Sequence, residues 1–247
     1  MRRTTSLILH TTLILSVVAS AHADDADDAQ RERITKSFSL PSGSRIEISM
    51  ISGPVEIDTT GGRSANVEVV RSAPTQRDFE CASIVIEQAG STLTIRSETR
   101  CGNVRGDHAA RLSVPRDVDL SLRNIAGRVR IGSTDGMVRL ESIAGHVEAA
   151  GIREARMSSL AHGLHLTVPN LGDRGVRVSS VRGGIDLDVG SGVDAEVITR
   201  GVAGHVDNDV PGLRIIEASE TNQRAVLGSG RGKIEIESVV GAVRIHG

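Results

Sequence analysis

The sequence predicts an all-β protein: one parallel β-solenoid domain with an irregular β section at its N-terminal side. Three observations carry this. A short Gly-centred motif recurs along the chain. Apolar and polar residues alternate with period two, and no helical period appears. Gly is abundant at 27 of 247 residues while Pro is sparse at 6, a balance that suits many short strands joined by tight turns.

The motif is apolar-small-Gly-x-apolar-x-apolar, preceded by Ser or Asn. It appears at 124–131 (NIAGRVRI), 142–149 (SIAGHVEA), 159–166 (SLAHGLHL), 180–187 (SVRGGIDL), 201–207 (GVAGHVD) and 238–245 (SVVGAVRI). An early copy lies at 50–57 (MISGPVEI). A second alternating segment precedes most copies, as at 138–141 (VRLE), 176–179 (VRVS) and 234–237 (IEIE). Each unit therefore reads as strand, corner at the Gly, strand.

Spacing between the apolar anchors sets the architecture. Ile125 to Ile143 is 18 residues, Ile143 to Leu160 is 17, and the next two intervals are 21 each. Units of 17–21 residues match one coil of a stacked-repeat fold. Val202 to Val239 is 37 residues, the length of two coils with one degenerate copy. The corner Gly supplies positive φ or close backbone approach. The preceding Asn124, Ser142, Ser159 and Ser180 are expected to point inward or cap the turn, forming a polar ladder with a structural role.

The N-terminus reads as a secretory signal peptide over 1–23. Arg2 and Arg3 precede an apolar run from Leu7 to Ala19, and Ala21-His22-Ala23 is a small-x-small cleavage pattern. The run is shorter than the ~20 residues of a membrane span, so no span is expected in the mature chain from Asp24. Residues 24–33 read as a disordered acidic linker. Residues 34–117 form the irregular β section, and 118–247 hold the solenoid repeats, the chain stopping directly after one.

Composition excludes several functions. Removing Arg2 and Arg3 from the 29 basic residues leaves 27 against 31 acidic ones, a net of −4; nucleic acid is therefore not an expected partner. The only aromatic residues are Phe38 and Phe79, so the Trp and Tyr faces on which sugar rings commonly stack are missing. No nucleophile elbow, zinc-protease motif, Walker loop or dinucleotide fingerprint occurs. No catalytic residue and no cofactor is assigned.

Cys81 and Cys101 are expected to form a disulfide if the chain is exported to an oxidising compartment. Segments 82–87 and 92–97 alternate as strands about a turn at 88–91, and folding that hairpin brings both cysteines to its open end.

Stacked coils ~4.8 Å apart place residues in outward rows. One row is Ser121, Arg139, Arg156, Arg177. Three adjacent guanidinium groups repel one another, and Glu141, Glu154 or a bound oxyanion would offset this. Arg139, Arg156 and Arg177 are thus the candidate anion-binding residues. The other row is Arg130, Glu148, His165, Asp186, Asp207, in which unlike charges are neighbours. His146 and His205 fall about three coils apart, too far for one ion, His162 lacks a third ligand, and Asp207-Asn208-Asp209 lacks the rest of a calcium loop. No metal site is assigned.

Ile34-Thr35-Lys36-Ser37-Phe38 with Leu40-Pro41, then 46–48 (IEI), 52–57 (SGPVEI), 112–115 (LSVP) and the repeated Ser-x-x-Gly-x-apolar units resemble the bacterial putative-adhesin family of exported β-strand-repeat proteins. The resemblance spans about 34–247. It implies a β-repeat fold, an exported or membrane-attached setting and a surface-binding role; it carries no catalytic residues. The expected function is a non-enzymatic periplasmic or surface binding module, with an anionic glycan or an envelope protein as partner. A structural envelope component and a polysaccharide-active β-helix enzyme are the alternatives.

Overall fold

The computed structural model describes residues 30–247. The expected signal peptide, 1–23, and linker residues 24–29 lie outside the described residues. Residues 30–33, expected in the linker, are already part of a strand. The described chain is all-β, with 21 strands numbered in chain order and one six-residue helix.

Two sheets form the fold. Sheet A holds, in spatial order, β1 (Gln30–Ser39), β4 (Ser64–Ala73), β7 (Asp107–Pro115), β3 (Val55–Thr60), β9 (Val129–Ile131), β11 (Val147–Ala149), β13 (Leu164–Val168), β15 (Ile185–Val189), β21 (Val243–His246) and β17 (Val206–Asp209). Sheet B holds β18 (Arg214–Ala218), β19 (Gln223–Leu227), β16 (Ala195–Ala203), β20 (Gly232–Val240), β14 (Val176–Arg182), β12 (Ile152–Leu160), β10 (Thr134–Ile143), β8 (Asp119–Ile125), β2 (Arg45–Ile51), β6 (Thr92–Thr99) and β5 (Ala82–Ala89).

Both sheets are mixed, which corrects the expected all-parallel solenoid. The repeat strands do pair in parallel, from β2 through β16 in sheet B and from β7 through β17 in sheet A. Antiparallel strands flank them: β4 with β7 and β1, β5 with β6, and β19 with β16 and β18. The physical reason is connection length. A parallel step needs a long crossover, whereas the short turns after Ala89 and Ala218 return the chain beside the strand it left, and the turn after Thr60 reverses it into β4, one strand away across β7.

The apolar anchors stack as one buried column. Its order is Ile51, Ile125, Ile143, Leu160, Val181, Val239, Val202, and each is at most 1 % exposed. Burying one such side chain is worth about 1.5–3 kcal/mol, so each added coil gains from covering the one before it.

The column also shows that the last repeat is not last in space. β20 and β21 slot between the β14–β15 coil and the β16–β17 coil. The 37 residues from Val202 to Val239 contain no degenerate coil; they form β17, the β18–β19 hairpin and the return to β20. The C-terminal repeat is therefore interior rather than an open end. Asp194 secures the re-entry turn. Its carboxylate accepts hydrogen bonds from Ser229 Oγ at 2.8 Å, Gly230 N at 2.6 Å and Arg231 Nε at 2.7 Å. These contacts, Ser229 foremost and then Arg231, hold the Asp194 carboxyl well below the usual carboxylate range.

The roles of Gly and Ser at the corners are also corrected. Left-handed φ falls on the residue before each anchor: Met50 (57°), Asn124 (53°), Ser142 (58°), Ser159 (57°), Ser180 (56°), Gly201 (62°) and Ser238 (56°). These residues are exposed, not inward-pointing. Pairing skips one residue on both strands there, as between Glu141↔Arg123 and Ile143↔Ile125, so the left-handed residues of successive strands lie over one another with no change of register. The Gly two residues after the anchor permits close approach. A Cβ on Gly145 would collide with the carbonyl of Gly127, and one on Gly127 with that of Gly53.

Helix α1 (Gln76–Cys81) is an addition to the strand-only expectation. Thr75 caps it, accepting from Asp78 N at 3.1 Å. The Cys81–Cys101 disulfide is present, with Cα atoms 5.4 Å apart. It closes the open end of the β5–β6 hairpin, whose register runs from Ala82↔Thr99 to Ala89↔Thr92.

Candidate ligand-binding face

The outward face of sheet B carries the arginine row. Parallel registers set Ser121 beside Arg139, Arg139 beside Arg156 and Arg156 beside Arg177. The row continues through Glu235 and Ile198 to Arg224. Alternation places these residues outward because Leu140, Met157 and Val178 beside them fill the core.

The outer two arginines are held by carboxylates. Arg139 Nη1 lies 3.3 Å from Asp119 Oδ2, and Met137 N donates to Asp119 Oδ1 at 2.9 Å. Burial pushes the Asp119 carboxyl up, but the Met137 amide and Arg139 outweigh it and hold it below the ordinary range. Arg177 Nε donates to Glu235 Oε2 at 2.6 Å, and Lys233 Nζ lies 2.6 Å from Glu235 Oε1. Lys233 is the largest influence on this carboxyl and lowers its pKa; burial opposes and Arg177 adds to the lowering.

Arg156 between them is exposed and enters no ion pair among the described residues. Neither carboxylate expected to offset the row reaches it. Glu154 takes Arg174, with Nε at 2.5 Å, and Glu141 lies 4.0 Å from Arg123. The residues missed in the sequence are Asp119 and Glu235. Asp119 sits one alternation step before Ser121 and was within reach of a strand-level reading. Glu235 was not, because its place depends on the inserted coil.

That coil also corrects the row on sheet A. Its order is Arg130, Glu148, His165, Asp186, Arg244, Asp207. Arg244 separates two aspartates expected to be adjacent. Asp186 further meets His246 Nε2 at 2.6 Å and His165 Nδ1 at 3.6 Å. His146 and His205 are four strand steps apart rather than three. Among the described residues, no group of three or more His, Cys, Asp or Glu is placed to hold a metal ion.

Ser52 and His108 form a hydroxyl–imidazole pair, with Oγ 3.0 Å from Nδ1. Burial holds the His108 pKa below its ordinary value, Asp107 opposing this and Arg71 adding to it. Ser52 Oγ also lies 2.7 Å from the Gly106 carbonyl, to which it donates. No helix among the described residues is long and apolar enough to cross a membrane.

No family profile matches the chain, and no curated protein matches it. Among solved structures it is similar to a putative cell adhesion protein from Clostridium sporogenes, at 12% identity and a TM-score of 0.44 over 88% of this chain and 99% of that one. A putative adhesin from Bacteroides fragilis is 14% identical, with a TM-score of 0.33 over 87% and 97% of the two chains. A putative lipid binding protein from Parabacteroides distasonis is 12% identical, with a TM-score of 0.29 over 86% and 96%. No residue role passes from these proteins to this chain.

Proposed function

We propose that this chain is an exported, non-enzymatic binding module of the periplasm or cell surface. In this reading the parallel repeat strands act as a β-solenoid scaffold, and the outer face of sheet B binds an anionic glycan. The ligand's carboxylate or sulfate sits on Arg156, with Arg139 and Arg177 held on either side. One observation carries the reading: Arg156 is exposed, has no acidic partner among the described residues, and lies between two arginines that carboxylates keep in place. A guanidinium there has free donors in a fork suited to an oxyanion.

The test is binding of polygalacturonate, dextran sulfate and neutral dextran to the purified protein. Binding to the two charged polymers, weakening with salt and lost in Arg156→Ala, is expected. Equal retention of neutral dextran, or an Arg156→Ala variant that binds as the parent does, would overturn it. Export is tested separately by N-terminal sequencing of the protein from its native envelope, which should begin at Asp24.

A further inference from the structure

Strand β18 is the outer strand of sheet B, and all five of its residues are exposed. Ile215 and Ile216 are 56% and 55% exposed. Arg214 precedes them and Glu217 follows. Neither charge enters an ion pair among the described residues; Arg224, the strand neighbour of Glu217, is engaged with Glu196 at 2.5 Å. Edge strands are ordinarily blunted by charges or a bulge. β18 has Arg214 and Glu217 and a register shift between Ile215 and Glu217, yet it leaves two isoleucines exposed between the charges.

The segment Arg-Ile-Ile-Glu is self-complementary. Antiparallel pairing about a two-fold axis between Ile215 and Ile216 sets Arg214 opposite Glu217 of the second copy, and Glu217 opposite Arg214. An unbroken strand would forbid this, because residues three apart point to opposite faces while a two-fold normal to a sheet preserves faces. The register shift in β18 removes the obstacle. Arg214 aligns with Val226 and Glu217 with Arg224; Val226 and Arg224 are two apart and share a face, so Arg214 and Glu217 share it too. It is the outward face, since Arg224 aligns with Ile198 and Ile198 with Glu235 of the arginine row.

We propose that two copies of this chain associate through β18, antiparallel and strand to strand, as an isologous pair. The isoleucines of the two copies meet at the centre, and an Arg214–Glu217 pair closes each end. Sheet B then runs unbroken through both copies. Both arginine faces lie on the same side of it, so a polymeric ligand could engage two copies at once. The association does not depend on the glycan reading, and Arg156→Ala leaves it intact.

Sedimentation equilibrium of the purified protein, over the widest attainable concentration range, tests this. The parent chain is expected to dimerise. Arg214→Glu alone and Glu217→Arg alone each replace both end pairs with like charges and should weaken dimerisation by about tenfold. The double variant R214E/E217R restores opposite charges at both ends and should recover the parent's dimer. Thermal melting of each variant checks that these exposed substitutions leave the fold unchanged. A parent chain that stays monomeric throughout would overturn the proposal. So would a dimer indifferent to the single reversals, or a double variant no better than the singles.

Discussion

Arg177 and Glu235 lie 58 residues apart in sequence and side by side in sheet B, with Nε 2.6 Å from Oε2. This contact belongs to the insertion of the C-terminal coil. If the coils had stacked in chain order, Ile198 would face Arg177 and Asp207 would face Asp186. Insertion places Glu235 against Arg177 and Arg244 between Asp186 and Asp207. Opposite charges are then strand neighbours on both sheets, and on sheet B they form an ion pair; cross-strand pairs are worth ~0.2–1 kcal/mol each.

Glu235→Ala is therefore expected to destabilise the protein by about 0.5–1.5 kcal/mol, because Arg177 and Lys233, each about half exposed, exchange their shared acceptor for water. Denaturant unfolding of Glu235→Ala, Arg177→Ala and the double variant checks it. The effects of the two single changes should sum to more than that of the double. Strict additivity would mean that the contact does not stabilise the inserted coil.

The left-handed residue before each anchor can be probed at Ser142, whose φ is 58°. Left-handed backbone disfavours any L residue by ~1–2 kcal/mol and a β-branched one more. Ser142→Val should lower the melting temperature. Ser142→Gly should hold or raise it, since relief of the left-handed conformation offsets a gain of about 0.4–1 kcal/mol in unfolded-chain entropy. Thermal unfolding of the two variants compares them directly, and a Val variant as stable as the Gly one would contradict the assignment.

His108 makes stability depend on pH. Its folded pKa is lowered from 6.5, chiefly by burial, so the unfolded chain takes up the proton first as pH falls. Stability contributed by the neutral imidazole is complete above about pH 6.5 and is lost on acidification toward the folded pKa. Melting temperature should decline from about pH 7 to pH 5 in the parent, and less steeply in His108→Gln. Equal slopes would remove His108 as the cause.

The disulfide closes a 20-residue separation, which corresponds to ~3 kcal/mol from restriction of the unfolded chain. The paired change Cys81→Ser with Cys101→Ser should lower unfolding free energy by about that amount, with the β5–β6 hairpin opening first in hydrogen exchange. Hairpin amides as protected as before would show that the bridge adds nothing there.

Much of this was legible in the residues. The arginine row could be aligned in advance because 138–141, 153–158 and 176–179 repeat one pattern in neighbouring coils that follow chain order. The β5–β6 hairpin was legible because its strands and turn are contiguous. Helix α1 was not read, although Thr75-Gln76-Arg77-Asp78 carries a capping signal; six residues are too few to show a helical period. The partners of the arginines were legible only in part, with Asp119 near in sequence to the row and Glu235 distant from it.

The all-β character, the repeated strands that pair in parallel, the buried anchors and the disulfide hairpin were all readable from the residues alone. These follow from period-two alternation, from recurring Gly corners and from contacts made within a coil or between successive ones. Tertiary structure decided the order of the last two coils, the antiparallel flanks and the exposed edge at β18. Burial separates the two coils: Val243 and Ile245 of β21 fill the interior slot, whereas Val206 and Asn208 of β17, their strand partners, are only half-buried at the end of the sheet. That comparison can be made only when strands distant in the chain lie side by side.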